Sequence, residues 1–172
     1  MTRYYYEDRW GGELQWNRNY RGTDEIYGES IYTNRWEVLG NYQLPTTENI
    51  RLQTSLIGHY QDAYYGDTYY KANQTVLHLQ GLWEKSWNKN ESIFGVALRN
   101  LYYNDNTPAT NKAENNQLLS VFAQNSYVFD SNWQLFTGIR AEKHNVHGQI
   151  FTPRVALRKE FAKGDVLRLN AM

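Results

Sequence analysis

The chain repeats one pattern from end to end, a run of about ten residues with alternating apolar and polar side chains followed by a turn. The clearest run starts at Trp133. In an extended chain, successive side chains face opposite sides. One face of this run would therefore carry Trp133, Leu135, Thr137, Ile139 and Ala141, and the other Gln134, Phe136, Gly138, Arg140 and Glu142. The pattern predicts a strand with one apolar and one polar face.

The pattern resumes after a loop at 144–148 and continues to the end of the chain. One face of the next runs carries Phe151, Val155, Leu157, Phe161, Leu167, Leu169 and Ala171, and the other carries Thr152, Arg154, Arg158, Glu160, Arg168 and Asn170. The same alternating pattern, followed along the whole chain, predicts about nine strands. Their spans are 3–12, 29–43, 49–61, 74–85, 92–103, 117–129, 133–143, 150–161 and 166–172.

The predicted connections alternate in length. Those at 44–48, 86–91, 130–132 and 162–165 are short, whereas those at 13–28, 62–73, 104–116 and 144–148 are mostly longer and polar. Short turns on one side and longer loops on the other are typical of bacterial outer-membrane barrels. We therefore predict an all-β fold, an antiparallel meander of about nine strands that is part of a transmembrane β-barrel.

Aromatic side chains cluster at the short-turn ends of these strands: Tyr42, Trp83, Trp87, Tyr127, Phe129, Trp133 and Phe161. Rings at one level favour a girdle at a lipid headgroup boundary over the core of a soluble sandwich. The opposite faces carry Arg35, Glu37, Arg51, Gln53, Arg99, Arg140 and Arg158. So many charges suit a water-filled lumen better than a sandwich interior.

The amino-acid composition and the absence of known motifs argue against several classes of function. The 172 residues include 18 basic and 18 acidic side chains, so a nucleic-acid partner is not expected. There is no cysteine, which excludes disulfides and thiolate metal sites. The mean hydropathy of -0.78 is compatible with a barrel, whose strands offer lipid only every second residue. We find no catalytic motif and expect neither an enzyme nor a cofactor.

Several segments carry a family resemblance. They are Arg3–Gly12, Asp24–Thr33, Tyr64–Asp67, Asp105–Thr110, His144–Gly148 and Thr152–Arg154, together with the closing Thr-Pro-Arg-Val-Ala-Leu-Arg-Lys-Glu-Phe and Leu-Arg-Leu-Asn-Ala pieces. They resemble the barrel domain of TonB-dependent outer-membrane receptors, especially those of Bacteroidetes related to cobalamin and ferric-siderophore receptors. The resemblance spans nearly the whole chain.

The resemblance implies a 22-stranded barrel with an N-terminal plug, and transport energised through TonB. Relative to that family, the plug, the TonB-contacting box, the signal sequence and more than half the strands are absent. We therefore expect residues 1–172 to be a partial barrel domain in a Gram-negative outer membrane. Its expected partners are outer-membrane lipid, the TonB system through the missing N-terminal region, and a small metal-chelate or cobalamin ligand.

Candidate binding residues lie in the predicted loop at 62–73. Tyr64, Tyr65, Tyr69 and Tyr70 could stack on a large planar or chelated ligand, because flat rings give contact area with little loss of entropy. Loop packing explains the same residues equally well. His144 and His147 could hold a metal, as could the oxygens of Asp62, Asp67 and Asp105, but the spacing matches no known motif and we predict no metal site.

Two other functions remain compatible with the sequence. One is a soluble all-β binding module that uses a Tyr-rich face for a sugar or peptide, and the other is a passive porin-like barrel. The soluble module would pair its apolar face with another sheet, whereas either barrel would turn that face to lipid.

Overall fold

The computed structural model describes residues 1–130, 132–162 and 164–171. Within these ranges the chain forms nine strands and one 3₁₀ turn, Arg18–Tyr20. The strands are β1 Thr2–Gly12, β2 Gly28–Gln43, β3 Asn49–Tyr65, β4 Thr68–Trp87, β5 Asn90–Asp105, β6 Glu114–Asp130, β7 Trp133–His144, β8 Gly148–Glu160 and β9 Val166–Ala171. Ser131, Lys163 and Met172, which belong to two predicted turns and the last predicted strand, lie outside the described residues.

The strands follow one another in a single sheet, in the order β1 to β9. β1 pairs with β2, β6 with β7, β7 with β8 and β8 with β9, and all four pairs are antiparallel. The predicted all-β meander of nine strands is confirmed. In the described part of the chain, no helix has the length and apolar character needed to cross a membrane.

The predicted long loop at 62–73 is wrong. β3 continues to Tyr65 and β4 begins at Thr68, so the connection is a tight turn at Gly66 and Asp67. Gly66 has φ 60°, a left-handed conformation that glycine adopts without steric cost. The tyrosines around this turn favour strand over loop, because aromatic side chains suit the pleated surface. The connection after His144 is also tight, which leaves long connections only at 13–27 and 106–113 among the described loops.

The chain divides into two compact units, each made of several strand portions. The first unit comprises 1–40, 54–77 and 100–116, and the second comprises 41–53, 78–99 and 117 onwards.

The second unit has two chemically different faces. Leu157 lies opposite Leu135 on one side and Leu169 on the other, so the three leucines share one face. Val155 and Ile139 on this face are each 48% exposed, and Leu169 is 58% exposed. These are high values for apolar side chains. The predicted apolar face is confirmed, and within the described residues much of it has no covering layer.

The opposite face of the second unit carries a polar network. Arg140 donates to Glu142 at 2.7 Å and to Ser120 at 3.0 Å, and Ser120 donates to Glu142 at 2.8 Å. Arg158 likewise pairs with Glu160 at 2.7 Å. Each arginine and its glutamate are two positions apart, which places them on the same face of a strand. The predicted polar face is therefore confirmed, and two of its arginines are paired with glutamates on the same strand.

The first unit also presents an aromatic face. Tyr4 lies opposite Trp36, and Trp10 lies opposite Ser30, in the register of β1 with β2. A Cβ on Gly58 of β3 would lie 2.3 Å from the Trp36 indole, so glycine leaves the room that this ring occupies. The long connection at 13–27 folds against this face, where Trp16 stacks on Trp10 at 5.5 Å between ring centroids.

Candidate ligand-binding site

Arg21, in the connection at 13–27, anchors that connection to the aromatic face of the first unit. Its guanidinium lies 4.5 Å from the ring centroids of both Tyr32 and Tyr64. It also donates to the Ser30 hydroxyl at 3.1 Å and forms an ion pair with Asp62. Cation–π contacts and a half-buried ion pair act together here, so one side chain fixes the connection to β2 and β3.

Tyr64 and Tyr69 belong to this anchor. Their rings are 4.9 Å apart, and the Tyr69 hydroxyl donates to Asp62 at 3.0 Å. Tyr64 packs on Arg21, and the carboxylate of Asp62 is shared between Arg21 and Tyr69. These two tyrosines therefore have structural partners, and they lie on the same face as Tyr32 and Ser30.

Tyr65 and Tyr70 lie on the opposite face, because each follows one of the anchor tyrosines directly along its strand. The Tyr103 hydroxyl on β5 donates to Asp105 at 2.7 Å and lies 3.4 Å from the Tyr70 hydroxyl. Since Tyr103 uses its only proton on Asp105, Tyr70 must donate to Tyr103. The oxygen of Tyr70 is then left to accept a hydrogen bond. We call Tyr70, Tyr103 and Asp105 the tyrosine relay.

Asp105 also holds the start of the connection at 106–113. Its Oδ1 accepts from the Thr107 amide at 2.8 Å and the Thr107 hydroxyl at 2.7 Å. The hydrogen bonds from Tyr103 and then Thr107 lower the pKa of Asp105 to about 2. The carboxylate is therefore ionised over the whole physiological pH range, which keeps the relay oriented in one direction.

Asn106 fastens the same connection to β4. Its side chain accepts from the Lys71 amide at 2.8 Å and donates to the Tyr69 carbonyl at 2.9 Å. An open groove of about 420 Å³ lies beside this contact, lined by Tyr65, Thr68, Tyr69, Tyr70, Asn106, Thr107 and Pro108. Three of the four predicted tyrosines border this groove.

Sequence reasoning did not identify Arg21 or Tyr103. Arg21 is separated from Asp62 by 41 positions, and Tyr103 from Tyr70 by 33. Neither pairing produces a pattern that can be recognised within a short stretch of sequence. One usable signal was the run Tyr103-Asn104-Asp105-Asn106-Thr107, in which an Asp two residues before a Thr favours a side-chain-capped turn.

The two histidines of the β7–β8 turn have a structural role. Nδ1 of His144 accepts from the amides of Val146 at 3.0 Å and His147 at 3.2 Å. That nitrogen is therefore unavailable as a metal ligand. The rings of His144 and His147 pack at 4.7 Å between centroids. Within 1–130, 132–162 and 164–171, no group of three or more His, Asp or Glu side chains is placed to hold a metal ion.

Comparison with known proteins gives a similarity of fold. Neither protein-family models nor characterised protein sequences match this chain. Among solved structures, the siderophore receptor PirA from Pseudomonas aeruginosa matches 79% of the chain with a TM-score of 0.59 and 11% sequence identity. The match spans 25% of the length of that receptor. The nine-stranded meander is thus folded like a section of a β-barrel receptor.

Proposed function

We propose that this chain forms part of the wall of a TonB-dependent receptor in the outer membrane of a Gram-negative bacterium. In this proposal it is a partial barrel domain of the Bacteroidetes type, and the plug and the TonB-contacting segment belong to other parts of the receptor. Its role is uptake of a metal-organic nutrient, cobalamin or a ferric siderophore, and not catalysis. The observation that carries the proposal is a two-faced meander with the fold of a siderophore receptor section.

The exposed apolar face is suited to lipid. Residues 149–159 of β8 run from Gln149 to Lys159, with Phe151, Pro153, Val155 and Leu157 between them on the same face. This stretch is about 34 Å long at about 3.4 Å per residue, or about 26 Å high at a tilt of about 40°. The apolar band of a transmembrane barrel is about 25 Å tall. A polar residue therefore lies at each boundary of the band.

The polar face is suited to a wet lumen. Two of its arginines are matched by carboxylates on the same face, Arg140 by Glu142 and Arg158 by Glu160. Paired charges of this kind tolerate water. At the loop end of the first unit, the tyrosine relay and the groove beside it offer flat rings and a hydrogen-bond acceptor to a passing ligand.

Of the four predicted tyrosines, Tyr65 and Tyr70 are the two that we propose to contact the ligand. Tyr64 and Tyr69 instead hold the connection at 13–27 in place. A ring such as Tyr70 adds contact area at low entropic cost, while its oxygen accepts from a donor group on the ligand. A chelate with amide or hydroxyl groups at its rim fits these requirements.

Ligand titration tests this function. The receptor that contains this chain, in detergent, would be titrated with cyanocobalamin, a ferric catecholate chelate and a ferric hydroxamate chelate, with tryptophan fluorescence as the readout. We expect saturable quenching by one of the three. Tyr70→Ala should weaken that binding about fivefold or more, since an aromatic contact and its hydrogen bond are worth about 1 kcal/mol or more.

Tyr102→Ala is the matched control, because Tyr102 adjoins Tyr103 on the opposite face of β5. It should leave the affinity unchanged. Absence of saturable binding to all three probes, together with passive flux of small solutes through the reconstituted protein, would contradict the receptor proposal and favour a porin-like barrel.

A further inference from the structure

Three lysines, Lys85, Lys89 and Lys159, lie at the short-turn end of the second unit, and we call them the basic belt. Lys85 and Lys159 lie against aromatic rings. Lys159 lies between Trp133 and Leu167 in the register of β7, β8 and β9, which places it on the apolar face. Its ammonium is 4.6 Å from the Trp133 ring centroid and 4.9 Å from that of Phe161.

The other two lysines have different neighbours. Lys89, in the β4–β5 turn, donates to the Phe129 carbonyl at 2.6 Å. Lys85 lies 5.4 Å from the Trp83 ring, and Trp83 packs on Phe94 of the apolar face at 5.2 Å. A long side chain can rest its apolar stem on such rings while its ammonium remains at a polar boundary.

The charges of the belt are not equally compensated. Lys85 forms an ion pair with Glu48 at 3.0 Å, and Glu48 also accepts from the Trp83 indole at 2.8 Å. The hydrogen bonds from Trp83 and then Lys85 lower the pKa of Glu48. Within 1–130, 132–162 and 164–171, neither Lys89 nor Lys159 has a carboxylate at ion-pair distance. Among the described residues, the ammonium groups of Lys89 and Lys159 therefore have no counter-charge.

We propose that the basic belt binds the anionic headgroups of phospholipids in the leaflet at the short-turn end of the barrel. This inference rests on the proposed membrane location and adds a preference for one class of lipid. The choice of an anionic phospholipid follows from the charge of the lysines and from their position. Two uncompensated cations stand at the boundary of an apolar face, where a phosphate carried by a lipid tail reaches them and the tail covers the adjacent apolar side chains.

Vesicle flotation tests the preference. The receptor that contains this chain would be diluted from urea into vesicles of phosphatidylcholine, pure or mixed with phosphatidylglycerol, and the floated fraction measured at low and high salt. The wild-type receptor should partition more strongly onto the anionic vesicles, and salt should reduce the difference. Lys89→Gln with Lys159→Gln should lower that partitioning about 25-fold, since each lysine near an anionic surface contributes about fivefold.

Two controls separate charge at the belt from charge in general. Lys85→Gln should have a smaller effect than Lys89→Gln alone or Lys159→Gln alone, because Glu48 already compensates Lys85. Lys112→Gln with Lys143→Gln, which removes two cations from the other ends of the strands, should preserve the preference. The strand content of each variant would be checked by circular dichroism in detergent.

The outcomes of this experiment distinguish the preference for anionic lipid from the membrane location on which it rests. Equal flotation of the wild-type receptor on both vesicle types would contradict the proposed binding of anionic lipid by the basic belt while leaving the membrane location in place. A loss by the double variant that is the same on pure phosphatidylcholine would also contradict it. Failure of the receptor to float with either vesicle would contradict the membrane location itself.

Discussion

Replacing Val155 by arginine tests the lipid-facing assignment at the middle of the apolar band. Val155 lies opposite Thr137 of β7 and Ala171 of β9, and it is 48% exposed. It is close to the midpoint between Gln149 and Lys159, the polar boundaries of the band. If lipid covers this face, Val155→Arg should reduce the free energy of unfolding by about 2 to 4 kcal/mol.

The neighbouring Arg154 supplies the matched control. Its guanidinium lies 5.4 Å from the Phe136 ring centroid on the polar face. Arg154→Leu removes this cation–π contact, worth about 0.5 to 1 kcal/mol at an exposed site. Leu157→Arg, nearer the aromatic boundary at Trp133, should cost less than Val155→Arg, because the penalty falls towards the interface. Arg158→Leu should cost about 1 kcal/mol or less, since its ion pair with Glu160 is exposed.

Urea titration of the receptor that contains this chain, folded in lipid vesicles and followed by tryptophan fluorescence, measures these losses. We expect the largest loss for Val155→Arg, a smaller one for Leu157→Arg and the smallest for the two arginine-to-leucine variants. In water, a charged replacement at a half-exposed position changes stability by only about 0.5 kcal/mol. Similar losses for Val155→Arg and Arg154→Leu would refute the assignment of faces.

Three further predictions concern the loops and the sheet edges. Arg21→Ala should make the connection at 13–27 accessible to protease, whereas Arg18→Ala, which removes the more exposed ion pair with Asp8, should not. The pKa of Asp105 is depressed from 3.8 to about 2, so its stabilisation of the connection at 106–113 should be complete above about pH 4 and disappear as pH falls through about 2. Hydrogen exchange should detect this loss, and Asp105→Asn should lack the protection at neutral pH. The 172-residue chain alone should aggregate or pair edge to edge in buffer, because β1 and β9 are open edges of the described sheet. Light scattering showing a monodisperse monomer that binds ligand would favour the soluble module.

Strand identity and face were predictable because both depend on alternation within a single run. Trp133 to Glu142 shows this clearly, since each side chain lies on the face that its position in the run predicts. Around 62–73 the two strands were predicted, but their ends were placed too far from the turn. Polar residues such as Asp62 and Lys71 resemble loop residues in sequence, but here they lie within β3 and β4. Gly66 and Asp67 between tyrosine runs were the available hairpin signal.

The candidate site was only partly predictable, because its contacts join distant parts of the chain. The run of tyrosines indicated the β3–β4 hairpin, but alternation divides these tyrosines between two faces. Tyr64 and Tyr69 acquire their role from Arg21, and Tyr70 acquires its role from Tyr103 on another strand. These partners are set by strand register and loop folding, neither of which is encoded in local sequence pattern.

Site-directed cysteine labelling of the membrane-embedded protein tests the central claim, that one face meets lipid and the other meets water. The chain contains no cysteine, so each single replacement reports on one position. Cysteines at the apolar positions Leu135, Ile139, Val155, Leu157, Leu167 and Leu169 should resist a water-soluble reagent and be quenched by a lipid-soluble one. Those at Arg140, Arg154, Arg158 and Arg168 should behave in the opposite way. Equal access of the water-soluble reagent to both sets would contradict the barrel account.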